Sequence, residues 1–219
     1  MKRTRIGIVA CETFKRELDL ITAGDQDIVH KEYLEWGLHE YPEELKRAVI
    51  TKVNSLAGKV DAVLLGYGTC QSLKDIEKQM IVPTVRLEGD DCVGVLITQP
   101  EYERERKKCA GTWFAIPYVC EMGEEWFRHH MVAQMGEESV KQLEAQGYDT
   151  DWFLHQLFSG YKRALFIDTG VGQREYFESL SRKFAARLNM SHESRLGTLD
   201  VLRADLERTK ALALSATQT

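Results

Sequence analysis

Three cysteines stand at equivalent places in the sequence pattern. Cys11 directly follows the apolar run Ile6 to Ala10. Cys70 comes five residues after the apolar run Val60 to Leu65, at the end of Gly66-Tyr67-Gly68-Thr69. Cys92 comes five residues after Leu87, which ends Ile81 to Leu87. If each run is a strand of a parallel sheet, each cysteine lies in a strand-to-helix turn, and those turns share one edge of the sheet. Thiols 59 and 22 residues apart would then converge. The following helix N-termini would favour thiolate, the form that binds metal or attacks an electrophile. Three thiolates and an open position suit a catalytic zinc ion, or an iron–sulfur cluster with one iron free for a small-molecule substrate. The spacings match no standard ferredoxin pattern and do not choose between them. The bland alternative is that each cysteine is a small buried hydrophobe.

Other residues are candidates around such a centre. Glu12, beside Cys11, and Asp168, at the end of Ala164 to Asp168, are candidates for proton transfer, against solvated acid and helix cap respectively. Gly66, Tyr67 and Gly68 follow a strand as a phosphate-binding turn would, and are candidates for holding a cofactor. The third glycine of a dinucleotide fingerprint is missing, however, so close backbone approach around Cys70 is the simpler use of these glycines. Cys120 is a spare ligand, and Cys109, after the basic run Arg104 to Lys108, reads as structural. His129 and His130 are adjacent on a helix, about 100° apart, and cannot chelate together. Trp113, Phe114 and Tyr118 could line a pocket for a flat ligand, although core packing is the commoner use of aromatic residues.

The elements that must position these residues alternate. Apolar runs of strand length are separated by helical patterns: Pro42 opens a helix over 43–56 with Leu45, Val49 and Val53 on one face, and Gly58 closes it. Val93 to Thr98 reads as a helix capped by Asp90 or Asp91, Glu121 to Gly147 as one long helix, and Gln173 to Leu188 as an amphipathic one. The expected fold is α/β: a mostly parallel open sheet with helices on both faces and a ligand site at the carboxyl edge. A single domain over 1–190 is expected, followed by a helical extension over 191–219 with a frayed tail.

Composition narrows the function. With 29 Lys+Arg against 34 Asp+Glu the chain carries a net charge of −5, which disfavours nucleic acid as a partner. No run approaches the ~20 apolar residues of a membrane span, and Ile6 to Ala10 is too short for a signal peptide. Five cysteines, an odd number with no Cys-x-x-Cys pair, argue against a disulfide framework and for a reducing, cytoplasmic setting.

In order along the chain stand Ala10-Cys11-Glu12, Leu64-Leu65-Gly66-Tyr67-Gly68-Thr69-Cys70, Asp91-Cys92-Val93, Gly111-Thr112-Trp113-Phe114 and Phe166-Ile167-Asp168-Thr169-Gly170. This series resembles the family known as domain of unknown function 1638 (DUF1638), over about Ile6 to Leu188. The family pattern often has histidine where this chain has Asp90, and glycine where it has Gln71. If that histidine were a ligand, Asp90 would have to replace it. The resemblance implies a place beside corrinoid-dependent methyltransferases, hence anaerobic one-carbon metabolism with a corrinoid protein or methyltransferase as partner. It supplies no catalytic residue. The leading expectation is a three-cysteine metalloprotein, an enzyme or enzyme partner in that chemistry. The alternatives are a non-catalytic cofactor carrier or methyltransferase-docking accessory protein, and a metal-free thiol enzyme with Cys70 as nucleophile.

Overall fold

The computed structural model describes residues 3–68, 73 and 75–216. They form two compact units, 1–99 with 198–219, and 100–197. The expected boundary at residue 190 therefore falls inside the second unit.

The first unit begins with β1 (Ile6–Cys11), α1 (Lys15–Ile21), β2 (Ile28–Leu34), α2 (Pro42–Asn54), β3 (Ala62–Gly66), β4 (Thr84–Arg86) and α3 (Cys92–Ile97). The sheet order is β2-β1-β3-β4, with every pairing parallel. β1 and β3 are aliphatic on both faces because both faces are covered. On one, Leu45, Val49 and Val53 of α2 pack with Val9, Val63 and Leu65. Proline at the first turn of α2 and Glu43 and Glu44 beside it fit a helix start. The short β4 lies at the sheet edge, preceded by Pro83, which has no N–H to give a ladder but accepts from the Val63 amide at 2.8 Å.

The second unit contains α4 (Gln99–Lys108), β5 (Thr112–Ala115), α5 (Pro117–Met122), α6 (Glu124–Met135), α7 (Glu137–Ala145), α8 (Thr150–Leu157), β6 (Arg163–Asp168), α9 (Arg174–Arg187) and β7 (Ser191–Leu196). Its sheet, β5-β6-β7, is also parallel. The single helix expected over 121–147 is broken at Gly123 and Gly136, whose φ values of 52° and 82° take the chain out of the helix. Helical periodicity persists across such breaks, which is why sequence reads them as continuous.

The expected helical extension over 191–219 is divided. Its first part is β7, whose sequence Ser-His-Glu-Ser-Arg-Leu shows no apolar alternation. A pattern search misses it because charge holds this edge strand in place. Arg163, 3% exposed, bonds Glu105 and Glu193 at 2.8 and 3.0 Å, and Arg195 bonds Glu101 and Glu105, both at 3.1 Å. The rest is α10 (Asp200–Ala216), which returns to the first unit and covers the other face of its sheet, Ala213 packing with Ile6 and Ala62. Two parallel sheets thus stand where one was expected, each with helices around it. No helix among the described residues is long and apolar enough to cross a membrane.

Candidate functional site

The order of the first sheet reverses between β1 and β3, the place where open parallel sheets receive ligands beyond their carboxyl ends. Cys11 is the last residue of β1, and β3 ends at Gly66, four residues before Cys70 in the sequence. Close backbone approaches join the segments next to Cys11 and Cys92 to residues 66–68. A Cβ at Gly66 would lie 2.2 Å from the Cβ of Ala10, the residue before Cys11. A Cβ at Gly68 would lie 2.6 Å from the carbonyl oxygen of Gly89 and 3.3 Å from the amide nitrogen of Asp91, the residue before Cys92. Only glycine lets three chain segments approach so closely. Gly66 and Gly68 therefore fit the turn to its neighbours, and Tyr67 between them is buried.

Cys92 opens α3. Asp91 caps this helix, its carboxylate accepting from the Gly94 amide at 2.9 Å, so Asp91 rather than Asp90 supplies the expected cap. Asp90 is bound by Gln99, whose side-chain amide donates to it at 2.5 Å. Cys11 donates to Thr13 Oγ1 at 3.2 Å. Burial raises the Cys11 thiol pKa, and the Thr13 hydrogen bond opposes that only in part. Burial also raises Cys92, reinforced by the Asp91 carboxylate and by Cys11 itself, so the two sulfurs lie within each other's field. Sequence led us to expect thiolates favoured by the helix dipole. The capping carboxylate beside Cys92 and its burial work against that.

Cys11 and Cys92 are free thiols. Cys70 lies outside the described residues. Among the described residues no group of three His, Cys, Asp or Glu is placed to hold a metal ion. The donor chemistry fits a thiophilic ion: two sulfurs at one rim suit zinc or iron–sulfur, and do not suit the oxygen-seeking magnesium or calcium.

The two residues expected to transfer protons stand at the ends of strands from different sheets. Glu12 stands beside Cys11, where one carboxylate oxygen accepts the Trp36 amide at 2.6 Å and pins the segment after β2. Asp168 ends β6, a strand of the second sheet rather than of the sheet bearing Cys11. It is buried, accepts the Gly170 amide at 3.0 Å and pairs with Arg174 at 3.4 Å. A single sheet was expected to carry both on one edge; the division into two sheets removes that shared edge.

Cys109 and Cys120 also belong to the second unit. Cys120 is buried, its thiol pushed up to about 12 by desolvation, and it walls a cavity of about 200 Å³. Trp113 lines this cavity, with its ring centroid 4.2 Å from that of Phe184. Phe114 instead packs edge-on against Tyr102, at 5.0 Å. Sequence reading missed the α9 wall, although the signal was present. Leu180, Lys183, Phe184 and Arg187 recur at helical spacing and share the cavity face.

No curated protein matches the sequence. The model of the family described as protein of unknown function DUF1638 matches residues 33–206, most of the chain, and the chain belongs to that family.

Proposed function

We propose that Cys11, Cys70 and Cys92 hold a zinc ion or an iron–sulfur cluster at the carboxyl edge of the first sheet, and that the protein is an enzyme, or the partner of one, in corrinoid-linked methyl metabolism. The observation supporting this is the close approach of Gly66 to Ala10 and of Gly68 to Gly89, Asp90 and Asp91. That contact sets the segments leading to Cys11, Cys70 and Cys92 side by side. A bound metal would supply a Lewis-acid position for a small substrate such as a thiol. The chain's own part is to present the sulfurs and give up their protons. Without a cation, burial leaves Cys11 and Cys92 protonated at neutral pH, which makes them poor nucleophiles. Binding a thiophilic ion releases those protons, so loading is expected to tighten as pH rises. Glu12, next to Cys11 along the chain, is the nearer candidate for proton transfer, and Asp168 is the second. A reducing cytoplasm suits the free thiols of this reading.

Anaerobic purification followed by zinc, iron and sulfide analysis and a visible absorption spectrum tests the reading. Iron with sulfide and broad visible absorption identifies a cluster, and one zinc per chain identifies zinc. Metal-free wild-type protein overturns the proposal, after which a single hyper-reactive thiol at Cys70 would indicate the metal-free enzyme, and three unreactive thiols an accessory protein. Cys70→Ser should abolish loading; full retention removes Cys70 from the centre.

A further inference from the structure

We infer that the cavity of the second unit binds a small aryl carboxylate, a site separate from the proposed thiol centre and independent of it. The cavity has about 200 Å³ of room. A dry apolar cavity of roughly 150 Å³ holds benzene, so this space takes one six-membered ring with a short acidic arm. The walls suit such a ring. Trp113 and Phe184 lie 4.2 Å apart between centroids, their planes tilted by 36°, and Leu180 adds an aliphatic surface. The thiol of Cys120 stays neutral and completes the apolar wall. At that distance Trp113 and Phe184 pack on each other, so a ligand ring meets the rest of their surface by offset or edge contacts.

The charge at the site selects an acid. Lys183 and Arg187 both line the cavity, one helical turn apart on α9, and the described lining holds no carboxylate. The charge of Arg187 is balanced by Asp151, whose carboxylate accepts from its Nε at 2.6 Å. Lys183 makes no ion pair among the described residues. Among the described residues Lys183 therefore stands as an unpaired ammonium beside an aromatic wall, and a carboxylate on a short arm would pair with it. A neutral ligand of the same shape would leave the ammonium as it is.

Titration of the purified full chain by calorimetry tests the assignment, with phenylacetate as the acid and phenylacetamide as its neutral isostere. Saturable one-to-one binding of the acid is expected, with the amide about tenfold weaker, the ratio for one lost charge-assisted contact. Lys183→Met should weaken the acid by about tenfold and leave the amide unchanged. Leu180→Trp fills the cavity and should abolish binding of both; its melting curve shows whether it folds, and if it does not, the exposed-site variant Lys183→Met decides alone. The aliphatic acid 4-methylpentanoate should bind several-fold more weakly than phenylacetate. Four results would overturn the inference: no saturable binding of the acid, equal affinity for acid and amide, unchanged acid affinity in Lys183→Met, or 4-methylpentanoate binding as tightly as phenylacetate. Metal loading of the first unit enters none of these measurements, so failure here and failure of the thiol centre are distinguishable.

Discussion

The two units use parallel sheets in opposite ways. In the first, β1 and β3 are apolar and buried except for the half-buried Cys11, and the candidate rim is made by backbone pressed on backbone, with Gly66 on Ala10 and Gly68 on Gly89. In the second, β7 is a polar edge strand tied down by Arg163, Arg195 and the acids of α4 and β7, and the candidate site is an open cavity beside a helix. Close contact can bring scattered thiols to one point but leaves no room for a large ligand. A cavity leaves room, but its chemistry comes from the few charges at its edge. Either arrangement follows from what fills the space between helix and sheet.

The sharpest way to break this comparison is to add one methyl group at the first rim. Gly66→Ala places a Cβ 2.2 Å from that of Ala10, and a loss of about 3 kcal/mol in urea unfolding is expected. Gly160→Ala in the second unit meets nothing within 4 Å, and a change within about 0.5–1 kcal/mol is expected. Equal effects at the two glycines would dissolve the contrast. Next in size is Arg163→Met. It leaves Glu105 and Glu193 without their shared cation and removes the bond to Thr112, so about 2–3 kcal/mol should be lost; the pair is partly solvated, which keeps the loss below that of a fully buried pair. A smaller loss would mean that the ladder to β6, rather than charge, secures β7.

Asp91→Ala removes the cap of α3, with about 1 kcal/mol lost in thermal or chemical unfolding, and it lowers the Cys92 thiol pKa by removing a neighbouring negative charge. Thiol alkylation rate against pH reads the second effect. The smallest change concerns Asp19, on the surface of the first unit. Partial burial pushes its carboxyl upward, but hydrogen bonds from Lys15, Lys31 and Tyr33 at 2.6, 3.0 and 2.9 Å outweigh this and hold it at about 2. The ionised group is favoured in the folded state. Its contribution is present above the ordinary carboxylate pKa of about 3.9 and is lost as pH falls from there toward 2. Solvent screening limits it to about 0.5–1 kcal/mol. Asp19→Asn should flatten the acid limb of the stability–pH curve by that amount, and an unchanged limb would show that the exposed cluster contributes nothing.

Much of the first unit was legible in the linear pattern. Aliphatic runs buried on both faces announce parallel strands, Pro42 and the Leu45-Val49-Val53 stripe announce α2, and the pair Asp90-Asp91 before an apolar run announces a capped helix. That Cys11 ends a strand and Cys92 opens a helix follows the same pattern, because strand direction decides which end of a sheet a turn occupies. The cavity was half visible: Trp113 was singled out, while α9 was read only as an amphipathic helix.

What residue order determined, then, was local and periodic: which stretches are strands, which are helices, and which turns carry sulfur. Tertiary structure alone decided that the strands divide into two sheets, that Asp168 joins the second, and that the polar segment 191–196 is a strand. Those outcomes depend on pairings between residues far apart in the chain, such as Arg163 with Glu105 and Glu193 or Gly66 with Ala10. Hydrophobic period records whether a residue faces a core. It does not record which distant segment completes that core, because burial energy follows the area removed from water and not the identity of the neighbour that removes it.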